Sequence, residues 1–238
     1  MMYEAKRAII LAAGFGSRMV PVTLDTPKPL VEVKGTRIID TLLEALLEAG
    51  IDDITIVRGY KKECFEGLLE KYPTLKFRDN DLYESTNSIS SAMAALDLIE
   101  GGCYICEANL LINNSDVIRK YHTSSDYLCS FARQTDDWCL SEKDGIAVNY
   151  RKGGEECFNC YGISCWSPED CEQLRADIQE VWDGGEGGRK VFWEFVPLVL
   201  CKDNYEVKIH ECQKGDVTEI DSFQELIAMD STYKHYGK

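Results

Sequence analysis

The apolar run Ala8-Ile-Ile-Leu-Ala-Ala13 stops at Gly14-Phe-Gly-Ser-Arg-Met19, and Thr26-Pro-Lys-Pro-Leu30 follows shortly after. No other stretch constrains the chain as strongly. A short apolar run bounded by glycines reads as a buried strand. The glycines let backbone N–H groups approach phosphate oxygens that any Cβ would obstruct. Arg18 and Lys28 bring two cations to the same loop. The whole chain carries a net charge of -15. A locally basic loop in so acidic a chain suggests a site for an anionic ligand, and a nucleoside triphosphate suits it.

The same acidity argues against nucleic acid as a partner, because phosphate backbones are held by basic faces. No apolar run reaches the length of about 18 residues that a membrane span needs. The N-terminal Met-Met-Tyr-Glu-Ala-Lys-Arg lacks the apolar core of a signal peptide, so a cytoplasmic chain is expected. The 11 cysteines are odd in number and fit reduced thiols better than a disulfide framework. Cys103/Cys106 and Cys157/Cys160 have Cys-x-x-Cys spacing but lie in strand-like sequence. Residues three apart on a strand point to opposite faces, which is poor geometry for zinc. Buried structural thiols are expected.

Strand-like and helix-like segments alternate through the first half. Strands are expected at 7–13, 53–58, 74–78, 102–108 and 127–133, and helices at 38–49, 61–71, 88–98 and 115–122. Ile39, Leu42, Leu43, Leu46 and Leu47 form a stripe at helical spacing that Gly50 ends. This pattern predicts an α/β fold with a mostly parallel central sheet and helices on both faces. The second half predicts a small antiparallel extension, with strands at 146–150 and 156–166 joined by a turn at Arg151-Lys-Gly-Gly154. Ser167-Pro168 opens a helix over 169–182, and 183–188 is a glycine-rich loop. An aromatic, apolar segment over 189–201 and a strand at 205–210 follow. Ser222 caps a closing helix with Glu225 three residues on. One domain over 1–238 is expected, with a nucleotide-binding half to about 135 and an acceptor-binding half from about 136.

The loop begins like the dinucleotide fingerprint, yet its third glycine is Met19 and Pro21 interrupts any immediate helix. No acidic residue ends the second strand, so a Rossmann dehydrogenase is disfavoured. The Gly-Lys-Ser/Thr ending of a Walker loop is absent. Leu11-Ala-Ala-Gly-x-Gly-Ser-Arg-x-x-Pro with Thr26-Pro-Lys-Pro-Leu30 resembles the signature of the nucleotidyltransferases that make sugar nucleotides and CDP-alcohols. Later matches at Tyr83, Asn87, Ser88, Trp138, Gly162–Trp166, Trp193-Glu194 and Glu219–Ser222 resemble the LicC-type choline-phosphate cytidylyltransferases. That resemblance implies a Rossmann-like nucleotidyltransferase fold. It implies that Leu11, Ala12, Ala13 and Gly14 meet the base and ribose of CTP, with Tyr83, Asn87 and Ser88. Gly16, Ser17 and Arg18 would hold the β- and γ-phosphates, and Lys28 would sit near the reacting phosphate. Arg18 and Lys28 are therefore the expected catalytic pair.

The resemblance also implies Mg²⁺. One expected ligand position is Asn109, where the family pattern has an aspartate, and Glu107 shares its strand face. The other is Asp221, with Glu219 as helper. A cationic acceptor is recognised by aromatic faces and carboxylates. Trp138, Tyr161, Trp166, Phe192 and Trp193, with Asp136, Asp137 and Glu194, are the candidates. Arg133 could grip the acceptor phosphate. The expected reaction joins CTP and phosphocholine to give CDP-choline and pyrophosphate. 2-Aminoethylphosphonate is the competing acceptor, and a sugar 1-phosphate a third. Asn109 motivates a rival of another class, a catalytically silent nucleotide-binding relative. Association is left open between monomer and homodimer.

Overall fold

The computed structural model describes residues 2–236. Its centre is a sheet of seven strands: β1 (Arg7–Ala12), β2 (Asp53–Arg58), β3 (Lys76–Asp79), β4 (Cys103–Glu107), β6 (Asp126–Lys143), β7 (Ile146–Trp166) and β8 (Lys208–Cys212). The order across the sheet is β8-β6-β7-β4-β1-β2-β3. Every neighbouring pair is parallel except the two that β7 makes, so β7 alone runs backwards. β5 (Leu110–Ile112) and β9 (Val217–Glu219) form a small antiparallel pair beside the end of β4.

The alternation within β1 explains the layering. Ala8, Ile10 and Ala12 pack toward α1 (Ile38–Glu48), against Leu42, Leu43 and Leu46. Ile9 and Leu11 face the other layer, which holds α2 (Ile89–Ala94) and α3 (Pro168–Asp183). Ile39, Leu42, Leu43 and Leu46 of the predicted stripe form the buried face of α1, whereas Leu47 is exposed, and Gly50 at φ 77° ends the helix with Ile51 N–H donating to Leu46 O at 2.9 Å. Ser167 caps α3, and Ser222 with Glu225 forms a full capping box at α4 (Phe223–Met229).

A third cluster explains the missing third glycine. Met19 is fully buried with Ile220 and Leu226. The side chain that departs from the dinucleotide pattern therefore anchors the glycine loop to the segment carrying Asp221.

Three expectations are corrected. The stretch 115–122 is a 3-10 turn (Ser115–Val117) and a two-residue strand (Tyr121–His122) pairing with Tyr3–Glu4. Asn114 there accepts from Asp116 N–H, a local bond that competes with helix. The stretch 61–71 is a 3-10 helix over Lys62–Glu70. The hairpin turn is Asp144-Gly145, not 151–154. Both residues have positive φ, 55° and 80°, as a type I′ turn requires. β6 and β7 consequently run far beyond the sheet. Their outer part curls, so that Phe158 and Asn159 pair with Phe131 and Ser130 and also with Leu140 and Cys139.

All 11 cysteines are free thiols, and only Cys64 and Cys201 are not buried. Among the described residues no helix is long and apolar enough to cross a membrane.

At the opposite end of β6, Asp126 lies 2.7 Å from His122 Nδ1 and 3.7 Å from His210 Nδ1. Burial works to raise its pKa, but the two histidines hold it below the usual carboxylate value. Asp126→Ala is expected to cost about 3 kcal/mol in urea unfolding at neutral pH, because it strands buried partners. A depressed folded pKa means that this contribution is present above about pH 4 and is lost as pH falls through the folded value. The stability gap between wild type and variant should therefore close in acid, and a constant gap would contradict it.

Candidate active site

β1 and β4 are parallel neighbours from which the chain runs on toward opposite edges of the sheet, β1 to β2 and β4 to β6, and ligands of open α/β sheets bind where the strand order switches in this way. Leu11 and Glu107 are register partners there. Two adjoining cavities open at this point. The smaller, about 170 Å³, is lined by Leu11, Ala13, Gly14, Tyr83, Asn87 and Ser88. Ala12 turns its side chain to the other layer. Nothing lies within 4 Å of where a Cβ on Gly14 would stand, so the backbone there is open to a ligand. Gly59 must be glycine, since a Cβ would meet Ala13 O and the Tyr83 ring at 2.8 Å.

The larger cavity, about 480 Å³, shares Ser88 and Glu107 with the smaller. At its floor Asp221 accepts from Lys28 Nζ at 2.6 Å and pairs with Arg18 Nη2 at 2.8 Å. Lys28 is 13% exposed and Arg18 68%. Gly16, at φ 69°, starts the 3-10 turn Ser17–Met19 that presents Arg18. Asn109 Nδ2 donates to Glu219 at 2.8 Å and to Asp221 at 3.0 Å. Its Oδ1 is buried without a hydrogen-bond partner.

Carboxylates crowd this floor. Burial pushes Glu107 well above the usual range, and Glu194 and Glu219 add to the effect. Burial likewise raises Glu194 and Glu219 to about 7 each. Asp221 differs: burial opposes its charge, but Lys28 and Arg18 keep its pKa low. Gly162, at φ 64°, leaves room for Glu107; a Cβ there would stand 2.6 Å from Glu107 Cγ.

The upper wall comes from the overhanging hairpin and the segment after α3. Trp138 stacks on Tyr150 with centroids 5.0 Å apart, and Phe192 meets it edge-on at 6.0 Å. Tyr161 and Glu194 complete this end, with Asp137 and Lys152 also on the wall.

Most expected residues converge here, but several do not. Trp193 is fully buried against Trp166, centroids 6.2 Å apart, and belongs to the core. Its neighbours Phe192 and Glu194 face the cavity instead. Arg133 and Asp136 are exposed and do not line it. The strand has left the sheet there, and a register shift between Thr135 and Trp138 re-aims the chain inward only afterwards. Tyr150 and Lys152 were missed. The Asp144-Gly145 hairpin signal would have placed Arg151 opposite Trp138, and a register shift at Leu140/Ser141 makes Lys152 the partner instead.

Among the described residues no three His, Cys, Asp or Glu side chains are arranged to hold a metal by themselves. Asp221, Glu219 and the unpartnered Asn109 Oδ1 nonetheless offer the oxygen donors that Mg²⁺ takes, few in number and beside a cavity with room for water and phosphate.

A parallel sheet with a glycine loop at its switch point, two cations and an acidic floor defines an α/β transferase acting on nucleotides. The sequence model of the family described as nucleotidyl transferase matches residues 7–138, and the chain belongs to that family. It is a nucleotidyltransferase with that family's Rossmann-like fold. It is 36% identical over 233 residues to a 2-aminoethylphosphonate cytidylyltransferase of Lancefieldella rimae, covering 97% of this chain and 94% of the other. It is 31% identical over 237 residues to a choline-phosphate cytidylyltransferase of Streptococcus pneumoniae, covering 96% and 99%. The solved CTP:phosphocholine cytidylyltransferase (LicC) of Streptococcus pneumoniae superposes with a TM-score of 0.83 at 28% identity, over 95% of this chain and 98% of that one.

Proposed function

We propose that the protein is a cytidylyltransferase that joins CTP to 2-aminoethylphosphonate and releases pyrophosphate. The observation that carries this reading is buried Glu194 on the wall of the larger cavity, beside further carboxylates. A primary ammonium has N–H donors and needs acceptors of this kind, whereas a quaternary ammonium has none. The full-length similarity to the Lancefieldella rimae enzyme supports the same choice. A second reading, phosphocholine as acceptor, is favoured by the Trp138–Tyr150 stack and Phe192, whose faces suit a quaternary ammonium.

The chemistry asks little covalent help of the protein. A phosphonate oxygen attacks the α-phosphorus of CTP, and the bond from that phosphorus to the bridging oxygen of pyrophosphate breaks. The glycine loop and the smaller cavity hold the nucleotide. Arg18 and Lys28 exchange Asp221 for phosphate oxygens and neutralise charge on the departing group. The cavity's aromatic end orients the acceptor so that its phosphonate faces the nucleotide. Mg²⁺ would be held by Asp221 and Glu219 with Asn109 Oδ1 as a neutral donor, and would offset phosphate charge there.

Side-by-side turnover of the two acceptors with CTP and UTP, read as pyrophosphate release, tests the reading. CTP with 2-aminoethylphosphonate should give the highest kcat/KM, at least about tenfold above phosphocholine, the margin of about one charge-assisted hydrogen bond. The reverse order would establish the second reading. No release with either, despite CTP binding, would establish the silent one.

A further inference from the structure

Asn87 was expected among the groups that hold the nucleotide, but its polar atoms are turned to another task. Its backbone N–H donates to Arg189 O at 3.0 Å, and its Nδ2 donates to Lys190 O at 3.2 Å. Its Oδ1 accepts from Ser88 N–H at 2.8 Å. Two more bonds join the same segments. Lys190 Nζ donates to Ser85 O at 2.6 Å, and Trp193 N–H donates to Ser88 Oγ at 3.0 Å. Four hydrogen bonds thus stitch residues 85–88 to residues 189–193.

The two segments serve different cavities. Tyr83, Asn87 and Ser88 line the smaller one, while Phe192 and Glu194 line the larger. The second segment leaves α3 through Gly184, Gly185, Gly187 and Gly188, with Gly185 at φ 96°. Gly188 lies so close to Val181 O that no Cβ fits. One helical turn, Glu186–Arg189, lies within this departure, and the glycines add little stiffness of their own. The path of Phe192 and Glu194 is therefore set by what grips the segment further on, namely Trp193 in the core and the four hydrogen bonds, two of which Asn87 supplies.

We infer that Asn87 is a positioning residue for the acceptor, acting by holding the strap 189–194 against the nucleotide loop. The inference rests on the acceptor site proposed above.

The full-length protein with CTP, Mg²⁺ and either acceptor tests it. Asn87→Asp keeps the oxygen that Ser88 N–H uses and loses the donor to Lys190 O. It should raise the KM of the acceptor about fivefold, the worth of one neutral hydrogen bond. The dissociation constant of CTP, measured by calorimetry, should rise by a smaller factor than the acceptor KM, although Asn87 also lines the nucleotide cavity. Lys190→Met breaks the strap's bond to Ser85 O from the other side and should give the same pattern. Weakened CTP binding with an unchanged acceptor KM would overturn the inference, since Asn87 would then serve the nucleotide. Unchanged constants in both variants would overturn it too, as would a parallel loss in every constant together with a lowered Tm. A wild-type protein that turns over neither acceptor would refute the acceptor reading itself, whereas failure of the inference alone leaves wild-type turnover intact.

Discussion

A Lys28→Met variant is expected to lose about 10²- to 10³-fold in kcat/KM, the scale of removing one preorganised group that stabilises transition-state charge. Lys28 sits between Pro27 and Pro29 on a 3-10 turn, so its backbone is held with little freedom. Its ammonium is nearly enclosed and touches Asp221 at 2.6 Å. Around it stand Glu107, Glu219 and Asp221, and this floor repels a triphosphate unless cations offset it. Arg18 cannot substitute, because its exposed guanidinium is the outer partner of Asp221. Lys28→Arg should rescue poorly, since a planar fork does not occupy the space of a compact ammonium. Steady-state kinetics with CTP and the preferred acceptor would check this. A Lys28→Met enzyme within threefold of wild type would remove Lys28 from the chemistry.

Glu194→Gln is expected to raise the KM for 2-aminoethylphosphonate by roughly 10- to 100-fold while leaving the KM for CTP within about twofold, since a hydrogen bond to a charged group is worth about 1.5–3 kcal/mol. The substitution keeps the shape, removes the charge and replaces one acceptor oxygen by a donor. Burial raises Glu194 to about 7 in the free protein, so its ionised form is held weakly there. A bound ammonium favours the ionised form and gains from it. Phosphocholine should be less affected, because its quaternary nitrogen offers no N–H and relies on the Trp138, Tyr150 and Phe192 faces. Equal losses for both acceptors would mean that Glu194 acts through the shape of the pocket and not through its charge.

The parts of the molecule governed by local rules were readable in the chain. The apolar run of β1, the stripe and C-terminal glycine of α1, and the caps at Ser167 and Ser222 each depend on neighbours within a few residues. The glycine loop, Arg18, Lys28 and Asp221 were readable for the same reason, since each lies in a short motif. The aromatic wall of the larger cavity was less so. Whether Trp138 or Arg133 faces inward depends on one register shift, and a shift of one residue reverses the face of every side chain beyond it. Trp193 and Glu194 are adjacent, yet one went to the core and the other to the cavity; composition could not divide them. Asn109 was recognised as a departure, but its double donation to Glu219 and Asp221 needs contacts more than a hundred residues apart in sequence.

The hairpin of β6 and β7 reaches past the end of the sheet, and the aromatic stack, Asp137 and Lys152 all sit on the overhang. None of these residues pairs with the strands that carry the glycine loop. If the cavity's aromatic end takes the acceptor, as proposed, the fold separates the transfer chemistry from much of the wall that meets its partner. On the proposed reading, substitutions along 136–154 would alter the acceptor's wall while β1, β4 and the glycine loop go on handling the same nucleotide. On the proposed reading, a lineage built on this plan can acquire new head groups by drift in this ribbon and in the strap that carries Phe192 and Glu194, without passing through forms that have lost the transfer chemistry.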